Sequence, residues 1–205
     1  MIKLYRLPYL LIMVRFLLGP ILFYDASDGV TGTWFLMGVA LGFLSDVFDG
    51  VIARRMNTVT AHLREMDGRT DVWFFAWIAA SAWRIHPNLV TAYRAPLLLV
   101  LATQVLSWMI DMVKFRRFSN YHAYTAKVWG LTIFATTVAW FGSRKVGILL
   151  WCAVFCGMVC TLEEIAITLI LPRWTYDVPS VFQAVQIRKR LLTFSDHSII
   201  NSGNH

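Results

Sequence analysis

Four aspartates recur at helical spacing in a chain that is otherwise strongly apolar. The sequence around them reads DVFDGVIARRMNTVTAHLREMDGRTD, and they are Asp46, Asp49, Asp67 and Asp71. Positions three or four apart share one face of a helix, so each pair is expected on one helix face, and a turn between the pairs would bring them opposite each other. Four carboxylates that meet repel one another unless a cation neutralises them, and carboxylate oxygens suit hard divalent cations. The spacing therefore predicts a divalent metal site.

The residues that follow the first pair favour a substrate that carries phosphate. Gly50 and Ala53 are small enough to let a ligand approach the backbone, and Arg54 offers guanidinium donors that match phosphate oxygens. One or two acids near a helix end could simply reach the water of the headgroup region, but four at these spacings need another reason. The acids, the small residues and the arginine together indicate metal-assisted chemistry on a phosphoester or pyrophosphate at the membrane surface.

The elements that must position these residues are membrane helices. Of the 205 residues, 58% are hydrophobic and 15% are charged, which is typical of one polytopic membrane protein and excludes an ordinary soluble domain. We predict an all-α fold with six transmembrane helices, at residues 8–24, 33–51, 71–85, 89–113, 121–141 and 146–171. Residues 1–171 are predicted to form the membrane domain. Residues 172–205 are predicted to form a basic amphipathic tail on the cytoplasmic leaflet, with a disordered end.

Loop charge predicts the orientation of these helices, because positively charged residues collect on the cytoplasmic side of a membrane. The basic residues that fall on one side are Lys3, Arg6, Arg54, Arg55, Arg64, Lys114, Arg116, Arg117, Arg188, Lys189 and Arg190. Both termini and the aspartates are therefore predicted to be cytoplasmic, in what we expect to be a bacterial inner membrane. The net charge of +7 is expected to meet anionic lipid headgroups, and no nucleic acid is expected as a partner.

Charged residues inside the predicted spans leave their roles open. Arg15 interrupts the first span, where it could pair with a carboxylate or a carbonyl for structural reasons or lie near the metal site. Lys127 lies inside the cytoplasmic end of the fifth span and could simply extend to the membrane surface. Glu163 and Glu164 in the sixth span are expected to be solvated or paired with nearby basic residues, or alternatively to touch the metal site.

The aspartates and their neighbours form a longer pattern, DxxDGxxAR followed by DxxxD. This pattern resembles the signature of the CDP-alcohol phosphotransferases, also called CDP-alcohol phosphatidyltransferases, which are integral membrane enzymes. The resemblance covers most of residues 5–171, because it extends to the number of spans, the RFLLGP segment of the first span and the position of Lys127 in the fifth. The aspartate motif is its most specific part.

The resemblance implies a reaction and a role for each residue of the motif. A CDP-alcohol such as CDP-diacylglycerol would present its pyrophosphate to one or two Mg²⁺ or Mn²⁺ ions, an acceptor alcohol would attack the phosphorus nearer the lipid, and CMP would leave. The implied metal ligands are Asp46, Asp49, Asp67 and Asp71, with Asp71 also the general base. The implied nucleotide and phosphate contacts are Gly50, Ala53, Arg54 and Lys127. The resemblance also implies a homodimer and a place in phospholipid biosynthesis, and it leaves the acceptor open between small alcohols and a second lipid.

One residue departs from the family pattern, and two other functions stay open. Leu63 stands where the pattern has a second glycine, so its side chain could narrow the nucleotide site, shift its specificity or mark a catalytically weakened relative. Because all four aspartates are present, we predict an active enzyme. Acids inside a membrane also mark the ion pathways of transporters, which makes an ion-coupled transporter the main alternative. A non-catalytic relative that binds lipid or nucleotide is the other.

Overall fold

The computed structural model describes residues 7–55, 60–119, 121 and 123–202, and within them the side chains other than those of Ala53 and residues 192–202. Every regular element in these ranges is helical, which confirms the predicted all-α fold. The helices are α1 (Leu7–Asp25), α2 (Thr33–Arg55), α3 (Ala61–Ile85), α4 (Pro87–Ala92), α5 (Arg94–Phe115), α6 (Tyr124–Gly142), α7 (Gly147–Ile170) and α8 (Val181–Ser202), with a short 3₁₀ helix at Ala26–Asp28. Residues 56–59, which belong to the segment where a turn between the aspartate pairs is predicted, lie outside the described residues.

Within the described part of the chain, four helical segments are long and apolar enough to cross a membrane. They are Leu7–Asp28, Thr33–Ile52, Arg94–Phe115 and Gly147–Ile170, and they correspond to the first, second, fourth and sixth predicted spans. Helices α3 and α6 lie at the third and fifth predicted spans without the same apolar character. The first half of α3 carries five charged side chains, and α6 contains Lys127 and four threonines. The total of six spans therefore stays a prediction.

The predicted fourth span belongs to two helices, α4 and α5, and each has a proline near its start. Pro87 begins α4, at a position where its missing N–H costs no helical hydrogen bond. Pro96 has no N–H to donate to the carbonyl of Ala92, and α4 ends at Ala92. Helix α5 then starts at Arg94, with Pro96 in its first turn, where a proline is tolerated.

The chain forms two compact units, Met1–Leu97 with Leu131–Ala153 and Leu98–Gly130 with Val154–His205. In the first unit α1 packs against both α2 and α3. Glycines allow α2 to approach its neighbours closely, because a Cβ on Gly38 would lie 2.5 Å from Cδ2 of Leu22 on α1, and a Cβ on Gly42 would lie 2.5 Å from Cζ of Phe74 on α3. No larger residue fits at either contact without movement of its neighbour, so these glycines keep the three helices close together.

The second unit buries an apolar core that the start of α8 completes. The core residues are Tyr121, Ile167, Leu171, Val178 and Ala184. A chain of hydrogen bonds joins this core to α5, since Thr168 donates to Oδ1 of Asp111 at 2.7 Å and the hydroxyls of Tyr121 and Thr168 lie 2.8 Å apart. Asp111 is 3% exposed, and a buried carboxylate requires hydrogen-bonding partners. The hydroxyl of Thr168 is one of them.

Glu163 and Glu164, which are predicted to be solvated, paired with basic residues or in contact with the metal site, have neutral polar partners in the structure. Glu163 accepts hydrogen bonds from the hydroxyl of Thr125 at 2.5 Å and from the backbone N–H of Val181 at 3.4 Å. A carboxylate at this position favours the start of α8 through the helix dipole. Glu164 accepts from Sγ of Cys160 at 3.9 Å. Glu163 therefore joins α7 to α6 and to the start of α8, whereas the contact of Glu164 lies within α7.

Helix α8 lies within the basic tail, and it has both buried and exposed residues. Ala184 is buried, whereas Phe182 is 82% exposed and Arg188 and Arg190 are exposed as well. The helix continues through Ser202, so the structure is helical over residues for which the sequence predicts disorder. Residues 203–205 lie outside the described part of the chain.

Candidate metal centre

The two aspartate pairs lie on helices that pack against the same third helix. Asp46 and Asp49 lie in the C-terminal half of α2, and Asp67 and Asp71 lie in the first half of α3. Thr60 defines the start of α3, because its hydroxyl accepts a hydrogen bond from the first turn of the helix at 3.1 Å. The helical spacing within each pair then presents both of its carboxylates to α1.

Arg15 of α1 contacts all four aspartates through one guanidinium. Its Nη1 donates to Oδ1 of Asp46 at 2.6 Å and to Oδ1 of Asp71. Its Nη2 donates to Oδ1 of Asp67 at 2.9 Å and to Oδ2 of Asp49. The Arg15 side chain is 1% exposed. The sequence leaves the role of Arg15 open, and the structure places its guanidinium at the centre of the aspartate cluster.

The two ends of the cluster differ in their access to solvent. The side chains of Asp49 and Asp67 are each 4% exposed, whereas those of Asp46 and Asp71 are 41% and 33% exposed. The two nitrogens of Arg15 follow the same division, because Nη2 contacts the buried pair and Nη1 contacts the half-exposed pair. A molecule that approaches from solvent therefore reaches Asp46 and Asp71 first.

A second guanidinium lies beside the buried end of the cluster. Nη1 of Arg64 is 3.8 Å from Oδ2 of Asp67, and the Arg64 side chain is 4% exposed. In the sequence, Arg64 counts as a loop charge, although its spacing of three residues from Asp67 is a signal for this pairing. With all groups ionised, two guanidiniums and four carboxylates leave an excess of two negative charges. One divalent cation would balance that excess.

Three of the aspartates meet the geometric requirement for a metal site. Asp46, Asp49 and Asp67 each offer a carboxylate oxygen, and these oxygens lie within 4.8 Å of one another. An all-carboxylate set suits Mg²⁺ or Mn²⁺ better than softer metals, which prefer thiolate or imidazole ligands. The four carboxylates already converge on one positive group, Arg15, so the cluster fits a cation. Asp71 contacts the same guanidinium but is not part of the three-oxygen group.

The residues after the first pair place a third guanidinium close to the helix backbone. Gly50 is buried, and a Cβ at this position would lie 3.3 Å from Nη1 of Arg54, which is closer than an ordinary contact. The absence of a side chain at Gly50 thus leaves room for the guanidinium of Arg54, which is an exposed residue. Ala53 lies in the last turn of α2, and its side chain is outside the description.

Lys127 belongs to the second unit of the chain. Its residue is exposed, and its Nζ lies 5.0 Å from the centre of the Tyr124 ring, which is a cation–π distance. The predicted contact of Lys127 with a phosphate group stays a prediction.

The contact between α1 and α3 holds Arg15 in position. Leu63 is 3% exposed and packs with Ile12, one turn before Arg15 on α1. On the other side, Nε1 of Trp73 donates to the carbonyl of Phe16 at 3.1 Å, and the two rings stack with centres 5.3 Å apart. The leucine that replaces the glycine of the family pattern therefore packs into the helix contact beside the site.

Comparison with known proteins identifies a family. The family model described as CDP-alcohol phosphatidyltransferase matches residues 5–176. The matched range contains both aspartate pairs and Arg15, and it extends past the end of α7. No curated protein and no solved structure matches the chain.

Proposed function

Because the chain belongs to the CDP-alcohol phosphatidyltransferase family, we propose that it is an active enzyme that transfers a phosphatidyl group from CDP-diacylglycerol, or a similar CDP-alcohol, to an acceptor alcohol. CMP is the second product, and the reaction belongs to phospholipid biosynthesis. The observation that carries this proposal is the convergence of all four motif aspartates on one point between α1, α2 and α3. A relative that had lost its activity would have no need to keep four repelling carboxylates together.

Asp46, Asp49 and Asp67 are the proposed ligands of one or two Mg²⁺ or Mn²⁺ ions, with Asp71 sharing this contact. Bound there, the ions would offset negative charge on the pyrophosphate and on the departing CMP. Asp49 and Asp67 are nearly inaccessible to solvent and hold the protein side of the site. Asp46 is 41% exposed and lies on the side from which a lipid pyrophosphate can approach.

Asp71 is the proposed general base. Its side chain is 33% exposed, so an acceptor hydroxyl can reach it, and Arg15 holds its carboxylate in position. Asp71 takes the proton of the acceptor hydroxyl while that oxygen forms a bond to the phosphorus nearer the lipid. The bond from this phosphorus to the CMP oxygen breaks, and CMP leaves with the electron pair.

Gly50, Ala53 and Arg54 are the proposed contacts of the nucleotide. The exposed residue Arg54 offers two nitrogens that match phosphate oxygens, and the small residues leave space for the ligand beside α2. Lys127 is proposed as a further phosphate contact, on the side of the acceptor.

The apolar helices and the family support an integral membrane protein. We further propose six spans, a bacterial inner membrane, a site and both termini on the cytoplasmic side, and a homodimer. On α8, the exposed Phe182 and the basic residues Arg188 and Arg190 support contact of this helix with anionic lipid.

The test is CMP release by the purified full chain in liposomes that contain CDP-diacylglycerol and Mg²⁺ or Mn²⁺. Glycerol phosphate, inositol phosphate, serine, choline and a second phospholipid are supplied one at a time as acceptors. We expect CMP release that depends on the ion and on one class of acceptor. Nucleotide binding without release would identify a non-catalytic relative, and solute movement across sealed vesicles would identify a transporter.

Asp71→Asn should abolish CMP release while the protein stays folded, because an amide cannot take the acceptor's proton. Glu65→Gln is the matched control on the same helix, since Glu65 is 42% exposed and pairs with Arg69 outside the cluster. Near-normal turnover by the Asp71 variant would remove Asp71 as the base.

A further inference from the structure

In the proposed reaction Arg15 only holds the carboxylate of Asp71 in position, yet its guanidinium touches every aspartate of the motif. Each terminal nitrogen takes one carboxylate from α2 and one from α3. Its side chain is 1% exposed, so water cannot replace these contacts. A buried arginine that binds all four proposed ligands must affect how those ligands bind a metal ion.

The guanidinium and a divalent cation require the same carboxylates. Oxygens of Asp46, Asp49 and Asp67 lie within 4.8 Å of one another, and Arg15 nitrogens lie 2.6 Å and 2.9 Å from oxygens of Asp46 and Asp67. A cation would need oxygen distances of about 2.0–2.6 Å in the same space. A guanidinium and a divalent cation that contact the same buried carboxylates repel each other strongly, because little water screens their charges. They cannot both keep all of these contacts.

The metal-free protein needs Arg15 for a different reason. Asp49 and Asp67 are buried, and unpaired buried carboxylates that face each other are strongly unfavourable. Arg64 lies 3.8 Å from Asp67 and faces one end of the cluster. Arg15 contacts the whole cluster, and through it α1 is joined to both α2 and α3.

We propose that Arg15 is an exchangeable counterion, which holds the four aspartates together while no metal is bound and releases some of them when a divalent cation binds. This inference rests on the metal site of the proposed function. Arg15 is thus a positioning residue that stabilises the metal-free protein and lowers the affinity of the site for the ion. A permanent structural ion pair would have the opposite effect on affinity, because its loss would disorder the ligands and weaken metal binding.

The test compares Mn²⁺ binding by the wild type, Arg15→Met and Arg15→Lys, as full chains in nanodiscs, with free Mn²⁺ measured from its EPR signal. Arg69→Met is the matched control, since Arg69 is 69% exposed on α3 and pairs with Glu65 at 2.6 Å. We expect Arg15→Met to bind Mn²⁺ at least about ten-fold more tightly than the wild type, because the competing charge is gone. Arg15→Lys should lie between them, and Arg69→Met should match the wild type. Equal or weaker binding by Arg15→Met would overturn the proposal.

Thermal unfolding gives a second readout that does not depend on activity. Arg15→Met should melt below the wild type in EDTA, and the difference should close in saturating Mn²⁺. A difference of the same size in both conditions, or failure of this variant to fold even with Mn²⁺, would contradict the proposal. CMP release by the wild type is measured separately. A wild type that binds Mn²⁺ and releases CMP, with no tighter binding by Arg15→Met, rejects the role of Arg15 alone, whereas absence of Mn²⁺ binding by both proteins rejects the metal site itself.

Discussion

Replacement of Gly42 by alanine should disturb the helix contact that brings the two aspartate pairs together. A Cβ at this position would lie 2.5 Å from Cζ of Phe74 on α3 and 2.9 Å and 3.1 Å from the neighbouring ring carbons. Carbon atoms in good contact are about 3.5–4.0 Å apart, so the ring or the helix must move by about 1 Å. The Phe74 residue is 3% exposed and its ring packs edge-on against Phe75, which leaves it little room to turn. Part of the movement therefore separates α2 from α3.

The expected size of the effect follows from this displacement. Overpacking of a buried contact lowers the free energy of unfolding by about 1–3 kcal/mol. A shift of about 1 Å between Asp49 on α2 and Asp67 on α3 would lower the rate of CMP release by about 10²-fold, because catalytic geometry tolerates little misplacement. The assay measures CMP release per folded molecule and the melting temperature of the same preparation.

Gly130→Ala in α6 is the matched control, because among the described residues no neighbour lies within 4 Å of a Cβ there. This control should leave both quantities unchanged or raise the melting temperature slightly. Combining Gly42→Ala with Phe74→Leu should restore part of the lost activity, since the shorter side chain makes room for the methyl group. Normal activity and stability of Gly42→Ala, or a double variant no better than the single one, would refute the reasoning.

Three other changes test separate parts of the account. Leu63→Gly should lower the free energy of unfolding by about 3–5 kcal/mol, because it removes the contact with Ile12 and adds a glycine to α3, while CMP release per folded molecule stays intact or rises. A large loss of that specific activity would show instead that Leu63 shapes the active site. Asp111→Asn should lower the free energy of unfolding by about 1–3 kcal/mol, because the two oxygens of Asp111 accept from the backbone N–H of Ser119 and from the hydroxyl of Thr168, whereas an amide offers one acceptor. An unchanged melting temperature of this variant would contradict that expectation. EDTA should stop CMP release and added Mg²⁺ or Mn²⁺ should restore it, and release that persists in EDTA would contradict metal dependence.

The meeting of the two aspartate pairs could be predicted because its information is local. Spacings of three and four residues place each pair on one helix face, and the pairs are close in sequence, so they were expected to meet. The role of Arg15 could not be decided in the same way. Arg15 stands alone in an apolar helix, and its neighbours in sequence contain no signal for which helices lie opposite. Only the packing of α1 against both α2 and α3 brings it to the cluster.

The polar elements were harder to predict than the apolar ones. The third span is predicted at residues 71–85, but its helix α3 already begins at Ala61, because Thr60 caps it and its charged residues face partners within the protein. Glu163 shows the same limitation, since its partners include the backbone N–H of Val181, and a backbone group leaves no trace in the sequence pattern. Leu63 was recognised as a departure from the family pattern, but its contact with Ile12 depends on how two helices pack.

The most direct measurement determines Mn²⁺ binding and CMP release on the same preparations of the wild type, Asp67→Asn and Glu65→Gln. Asp67 is 4% exposed and contacts Arg15 within the cluster, whereas Glu65 lies two residues away on α3 and pairs with Arg69. We expect the wild type and Glu65→Gln to bind the ion and release CMP, and Asp67→Asn to lose both. If Asp67→Asn binds Mn²⁺ and releases CMP as the wild type does, the aspartate cluster is not the metal centre of this enzyme.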